Sequence, residues 1–221
     1  MSEITIKICD DGDISVVENT NGILSFKMIT PDSLLDCINK SLSRGVIMSG
    51  LLPRGCLSYA AHDNGDRDIC ILHDENTTNM IYYDTEYKDF PLPRLVFGFH
   101  ITGEGRVSSC RLGVVADDDV MKPNTKMFHY PFSNVSGFQL CTGNNILPKC
   151  ISLHTMGSLP YYVLSMPNNN DHFKSENNSS HLEMRDLLEL VKDKKPEFYY
   201  SDILVQNGSS LNDFINGGNK P

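Results

Sequence analysis

The run Phe128-His129-Tyr130-Pro131-Phe132-Ser133-Asn134-Val135-Ser136-Gly137-Phe138-Gln139-Leu140-Cys141-Thr142-Gly143-Asn144-Asn145-Ile146-Leu147-Pro148 is the part of the chain around which the rest is organised. Its apolar portion ends in one cysteine, Cys141, and a polar turn, Thr142-Gly143-Asn144-Asn145, follows at once. Glycine and asparagine at a tight turn keep the backbone near solvent. Most lone cysteines are small buried hydrophobes, whereas this one stands where a thiol would be presented.

Before that loop the sequence reads almost wholly as strand. Residues 55–61, 68–73, 79–85, 94–102 and 106–115 are apolar or alternating runs, parted by turns such as Asn64-Gly65 and Gly103-Glu104-Gly105. Consecutive strands with short connections predict an antiparallel meander. Earlier still, residues 4–29 alternate between apolar and polar positions, broken by Asp10-Asp11-Gly12-Asp13 and Asn19-Thr20-Asn21-Gly22 as hairpin turns. Thr30-Pro31-Asp32-Ser33 opens a helix with Thr30 as its cap, and Gly45 ends it. Leu34, Leu35, Ile38 and Leu42 share one face of that helix, a stripe that reads as core.

After the loop, residues 151–165 are apolar with an ambiguous period. Asn168-Asn169-Asn170 and residues 174–180 are polar and turn-forming. Residues 181–193 predict an amphipathic helix through Leu182, Leu187, Leu188 and Val191, stopped at Lys194-Lys195-Pro196, and a last short helix covers 209–215. Strands, a helix, a strand meander, an irregular loop and then helices make an α+β chain whose helices are segregated from the sheet.

Composition bounds what such a chain can do. At 221 residues it has room for one sizeable core. A formal charge of -9, with its 19 Lys and Arg scattered, leaves no footprint for a phosphate backbone, so nucleic acid is not an expected partner. Neither a basic-then-apolar start nor an apolar run of the roughly 18 residues a membrane helix needs is present, so no membrane association and a cytoplasmic location are expected. Seven cysteines without a Cys-x-x-Cys pair fit neither a zinc knuckle nor a disulfide framework. They read as reduced thiols, with Cys70 and Cys110 inside core strands. Asp117-Asp118-Asp119 lacks the ligand spacing of a calcium loop and reads as a solvated turn.

The chemistry of a presented thiol depends on what favours its anion, because the thiolate is the nucleophile. No Lys or Arg adjoins Cys141; Lys149 is the nearest, and the N–H groups of the Thr142 to Asn145 turn are the other positive element. Such modest activation suits a thiol that receives an acyl group by exchange from another thioester, and suits peptide hydrolysis less well. Asn134 stands seven residues before Cys141. An extended segment of that length would span roughly 23 Å, so its carboxamide reaches the thiol only if the chain turns back at Ser136-Gly137. An amide donor there would steady the oxyanion formed when a lysine amine attacks a thioester on Cys141.

The segment from Pro131 to Asn144 resembles the active-site segment of the prokaryotic ubiquitin-conjugating-enzyme-like family known as PRTRC system protein B. Leu51-Leu52-Pro53-Arg54-Gly55 and Leu92-Pro93-Arg94-Leu95-Val96-Phe97 resemble that family's upstream segments, and the likeness covers roughly residues 45–215. Two departures stand out. The His-Pro-Asn triplet of eukaryotic conjugating enzymes is here interrupted as His129-Tyr130-Pro131-Phe132-Ser133-Asn134. Downstream, where a second His-Pro-Asn is aligned, the chain reads Met166-Pro167-Asn168, leaving Asp171 and His172 as the nearby groups able to deprotonate a lysine. His154, amid apolar neighbours, reads as a core histidine.

The resemblance implies a ubiquitin-conjugating-enzyme-like fold, an antiparallel strand meander with flanking helices. Residues 1–45 would be N-terminal strands and a helix packed on a main domain of residues 46–215, and residues 216–221 a disordered tail. It implies a bacterial carrier that accepts a ubiquitin-like modifier on Cys141 from an activating enzyme and passes it to a target lysine, with Asn134 and His172 assisting. No metal or organic cofactor is expected, since the activating enzyme consumes the ATP, and a deconjugating metallopeptidase from the same operon is a further expected partner. An inert relative that binds a modifier without carrying it is the alternative. A cysteine hydrolase pairing Cys141 with His154 or His172 ranks last, because no hydrolase signature surrounds the cysteine.

Overall fold

Period-two alternation on either side of Asn21-Gly22 produces the first sheet. The computed structural model describes residues 2–9, 12–42 and 49–217, and the chain divides into two units, Met1–Ser49 and Gly50–Pro221. In the first unit β1 (Ser2–Ile8), β2 (Ile14–Thr20) and β3 (Ile23–Ile29) form an antiparallel meander. Thr20 pairs with Ile23, and the two residues between, Asn21 at φ 53 and Gly22 at φ 87, take the left-handed backbone that matches strand twist. Helix α1 (Pro31–Leu42) follows, with the Ser33 N–H donating to the Thr30 hydroxyl at 3.2 Å as the cap. Its apolar stripe differs from the core reading: Leu35 and Ile38 are exposed. Asp10, Asp11 and the helix stop expected at Gly45 lie outside the described residues.

The second unit is built on strands β4 (Cys56–Ala61), β5 (Arg67–His73), β6 (Asn76–Tyr82), β7 (Thr85–Leu92), β8 (Leu95–Ile101) and β9 (Val107–Val115). The simple meander is broken at one place. β5 pairs directly with β8, from Arg67 opposite Ile101 to His73 opposite Leu95, while β6 and β7 pair only with each other. The reason lies in the side chains: Ile69-Cys70-Ile71 and Leu95-Val96-Phe97 are buried on both faces, as central strands require. On β6 only Met80 and Tyr82 are buried, which suits a hairpin lying over the core. That hairpin turns at Tyr83, φ 49, and is bulged near Asp89, φ 49.

The remaining strands are short: β10 (Lys126–Phe128), β11 (Val135–Ser136), β12 (Gln139–Leu140) and β13 (Gln206–Ser210). β12 and β10 both pair with β9, on the edge that β8 leaves open. Helices α2 (Leu153–Gly157), α3 (Leu159–Leu164) and α4 (Met184–Val191) lie on one face of the sheet, where Met156, Leu159, Val163, Leu187 and Leu188 join Leu95, Phe97, Phe99 and Leu112 in the main core. α5 (Leu211–Ile215) closes the other face, placing Leu211 and Phe214 with Cys70, Val96 and Val115. Strand alternation supplies both cores at once, since neighbours on β8 and β9 point to opposite faces.

The result is an α+β chain of mostly antiparallel sheets with few helices, the class expected from sequence. The tail expected to be disordered from Asn216 opens with the turn that closes α5, where the Gly217 N–H donates to the Phe214 carbonyl at 3.2 Å. Residues 218–221 lie outside the described residues.

Candidate active site

The chain does turn back between Asn134 and Cys141. Val135 pairs with Leu140 and Ser136 with Gln139, so Gly137 and Phe138 alone form the loop, with Gly137 at φ 61. Val135 and Leu140 are buried in the main core. Phe138 meets the Phe214 ring edge-on at 5.0 Å on the other side of the sheet, and its carbonyl accepts from the Leu112 N–H at 2.8 Å. Gln139 completes the attachment by donating its carboxamide to the Cys110 carbonyl at 3.0 Å. The hairpin is thus fastened to β9 from both faces. At its open end the Cys141 N–H donates to the Asn134 carbonyl at 2.8 Å. Residues seven apart in sequence are therefore opposite one another.

Cys141 is exposed, and it shares a narrow cleft with Asn134, Thr78, Met80, Met166 and Asn168. The cleft has a volume of ≈ 20 Å³, room for about one water molecule. Beyond the thiol, the Asn145 N–H and carboxamide both donate to the Thr142 carbonyl, at 3.0 and 2.9 Å, closing the expected turn around Gly143 at φ 55. The N–H groups of Gly143 and Asn144 have no acceptor among the described residues. The Lys149 stem lies over Gly105, between β8 and β9.

Asn134 is held on three sides. It adopts a left-handed backbone at φ 66, its N–H donates to the Asp171 carbonyl at 2.7 Å, and its carboxamide donates to the Pro167 carbonyl at 3.4 Å. The Asp171 carboxylate accepts from the Asn169 carboxamide at 2.8 Å. His172 is exposed, at φ 58, next in the chain to the carbonyl that holds Asn134, but it does not line the cleft. Cys141 and Asn134 are thus brought together, and His172 stands on the adjoining segment. His129, from the interrupted triplet, lies instead beside Ser136 and Gly137 at the loop end of the hairpin. Burial, and then the nearby Lys174 charge, hold its imidazole below the ordinary 6.5.

His154 departs from the core reading. It is exposed on α2, because a helix capped by the Ser152 and Thr155 box buries Met156 and turns His154 to solvent. The other thiols sort by burial. Cys70 and Cys110 are buried, as expected, and loss of solvation pushes them from 9.0 to about 11 and about 12. Cys150 is buried and likewise raised, whereas Cys9 and Cys37 are exposed. Among the described residues no group of three His, Cys, Asp or Glu is placed to hold a metal. The Asp117 to Asp119 run is a turn anchored by Arg94, whose guanidinium meets the Asp117 carboxylate at 3.1 Å.

Sequence reasoning missed Ser133 and Asn168. Ser133 is fully buried, and its hydroxyl donates to the Asn168 carboxamide oxygen at 3.2 Å. Asn168 pairs with Tyr82, and the Tyr82 hydroxyl donates to the Asn170 side chain at 2.8 Å. The asparagine run is therefore an anchored connection, and nothing local in a polar triplet distinguishes that from a mobile turn.

The sequence model of prokaryotic E2 family D matches residues 38–206. The chain belongs to this family. The E2 match takes in the cysteine hairpin and both upstream segments, so the resemblance to prokaryotic ubiquitin-conjugating-enzyme-like proteins holds. No curated protein and no solved structure matches the chain. Membership of the E2 family makes it a conjugating-enzyme-like protein. No helix among the described residues is long and apolar enough to cross a membrane.

Proposed function

We propose that this chain carries a ubiquitin-like modifier as a thioester on Cys141. The observation behind the reading is the pairing of an exposed thiol with Asn134 at the open end of one hairpin, 2.8 Å apart through their backbones. In the first step the Cys141 thiolate attacks the thioester carbonyl on an activating enzyme and expels that enzyme's cysteine thiolate. In the second, a neutral lysine amine of a target attacks the Cys141 thioester. The oxyanion collapses, the carbon–sulfur bond breaks, an amide forms, and the amine's proton passes to a base.

Each residue near the thiol has a part in that scheme. Asn134, or the N–H groups of Gly143 and Asn144, stabilises the oxyanion. His172 or the Asp171 carboxylate takes the proton. ATP is consumed by the activating enzyme, so the carrier needs no metal or organic cofactor. A deconjugating metallopeptidase would complete the system. The fold invoked is that of ubiquitin-conjugating enzymes. Helix α1, the β4-β5-β8-β9 sheet, the cysteine hairpin and then α2 to α4 follow one another in that order.

An inert binding module is the second reading, and one observation favours it: among the described residues no histidine lines the cleft beside Cys141. The two readings separate in one experiment. The chain is mixed with an activating enzyme, a ubiquitin-like protein and ATP, then run on a non-reducing gel. A carrier gives an adduct that thiol reagents dissolve and Cys141→Ala lacks; an inert module gives no such band.

A further inference from the structure

Two asparagines line the cleft beside Cys141, and they are held differently. Asn134 touches Cys141 through the backbone and ties only the amide nitrogen of its side chain, at 3.4 Å to the Pro167 carbonyl. Asn168 is tied at both ends of its carboxamide, the oxygen accepting from Ser133 and the nitrogen donating to the Ile81 carbonyl at 3.3 Å. Its backbone is fixed as well, because the Asn168 N–H donates to the Ile81 carbonyl at 2.7 Å and its carbonyl accepts from the Tyr83 N–H at 3.0 Å.

These bonds join into one path. β6 holds Asn168 and Asn168 fixes the neighbouring Pro167, whose ring already restricts its backbone. The Pro167 carbonyl then holds the Asn134 carboxamide. Ser133, buried and bonded to Asn168, precedes Asn134 in the chain and fixes the same corner from the other side. An asparagine carboxamide on a half-buried, left-handed residue at the mouth of a cleft is not oriented by packing alone, and an oxyanion donor works only if it is oriented before the charge appears.

We propose that Asn168 is a positioning residue for Asn134: it orients the Asn134 carboxamide through Pro167, so that one amide hydrogen is held toward an acyl group on Cys141. This rests on the reading of Cys141 as an acyl carrier. Asn168 itself acts through its neighbour, and β6 is the rigid element that both asparagines depend on.

The test uses the full chain and N-acetyl-glycylglycine benzyl thioester as the acyl donor, with free lysine as the acceptor. The Cys141 thiolate displaces benzyl thiolate, and the lysine amine then displaces the Cys141 thiolate to form an amide, its proton going to buffer. Asn168→Ala should slow discharge to lysine by up to about a hundredfold, the cost of a catalytic group misplaced by roughly 1 Å. The double variant Asn134→Ala with Asn168→Ala should discharge no more slowly than Asn134→Ala alone, since residues acting as one unit are not additive. Discharge of Asn168→Ala at the unsubstituted rate, or a double variant slowed by the product of the two single effects, overturns the proposal. If the unsubstituted chain takes up no acyl group, the thioester reading itself fails. The side-chain ¹⁵N resonance of Asn134 then decides the positioning role alone: a shift in Asn168→Ala sustains it, and an unmoved resonance overturns it.

Discussion

The Cys141 N–H and the Asn134 carbonyl are 2.8 Å apart across the open end of a hairpin whose loop is only Gly137 and Phe138. Sequence distance therefore does not separate the two groups. The placement of the thiol depends on the register of four paired residues and on the backbone freedom of one glycine.

Gly137 is where that register is most easily disturbed. It sits at φ 61, and a Cβ added there would meet no atom within 4 Å, so a larger residue suffers backbone strain rather than a clash. Gly137→Val should lower stability by about 1–2 kcal/mol, the cost of a left-handed backbone for a residue with a side chain. Urea unfolding would measure it. An unchanged midpoint would mean that the loop refolds into another turn type.

The thiols should separate by reactivity. With iodoacetamide at a pH of about 7.5, Cys141, Cys9 and Cys37 are exposed and should label in the folded chain, while Cys70, Cys110 and Cys150 are buried and should label only on unfolding. Peptide mass spectrometry over a time course reads all of them. Labelling of Cys110 at the rate of Cys141 would contradict the packing of β9.

Much of this architecture was legible in sequence, and the limits have physical causes. β5, β8 and β9 announced themselves as apolar runs, α4 through Leu187, Leu188 and Val191, and α5 as a short helix expected over 209–215. The reversal was named in sequence only as a condition, at Ser136-Gly137, and the structure meets it one residue on, at Gly137-Phe138. What sequence did not show was non-local. The departure of β6 and β7 from the sheet depends on β5 and β8 preferring each other, and the fixing of Asn168 depends on Ser133, Ile81 and Tyr83, all far away in the chain. His154 misled for the opposite reason, since apolar neighbours in sequence are not neighbours on a short helix.

Alkaline pH should weaken the fold. Burial raises Cys70 to about 11 and Cys110 to about 12, whereas an unfolded thiol titrates near 9.0. The folded chain then binds more protons than the unfolded one above pH 9, so stability is full below that value and falls as pH rises toward 11 and 12. Urea midpoints at pH 8, 9 and 10 would show the decline begin. In a Cys70→Ala, Cys110→Ala chain the slope should flatten; an equal slope would assign the loss to other groups.

Core and surface leucines should differ sharply. Leu187 is completely buried on α4, and Leu187→Ala should cost about 2–5 kcal/mol. Leu51 is 95% exposed, and Leu51→Ala should stay within about 0.5 kcal/mol. Denaturant unfolding of the two variants side by side checks the placement of α4 over the sheet. Equal losses would contradict it.

The most direct measurement is the intact mass of the chain after incubation with an activating enzyme, a ubiquitin-like protein and ATP. The account requires one added modifier less one water, mapped to Cys141 and removed by excess thiol, with no added mass in Cys141→Ala. A chain whose mass never changes, or an adduct that survives in Cys141→Ala, would contradict the assignment of Cys141 as the carrier.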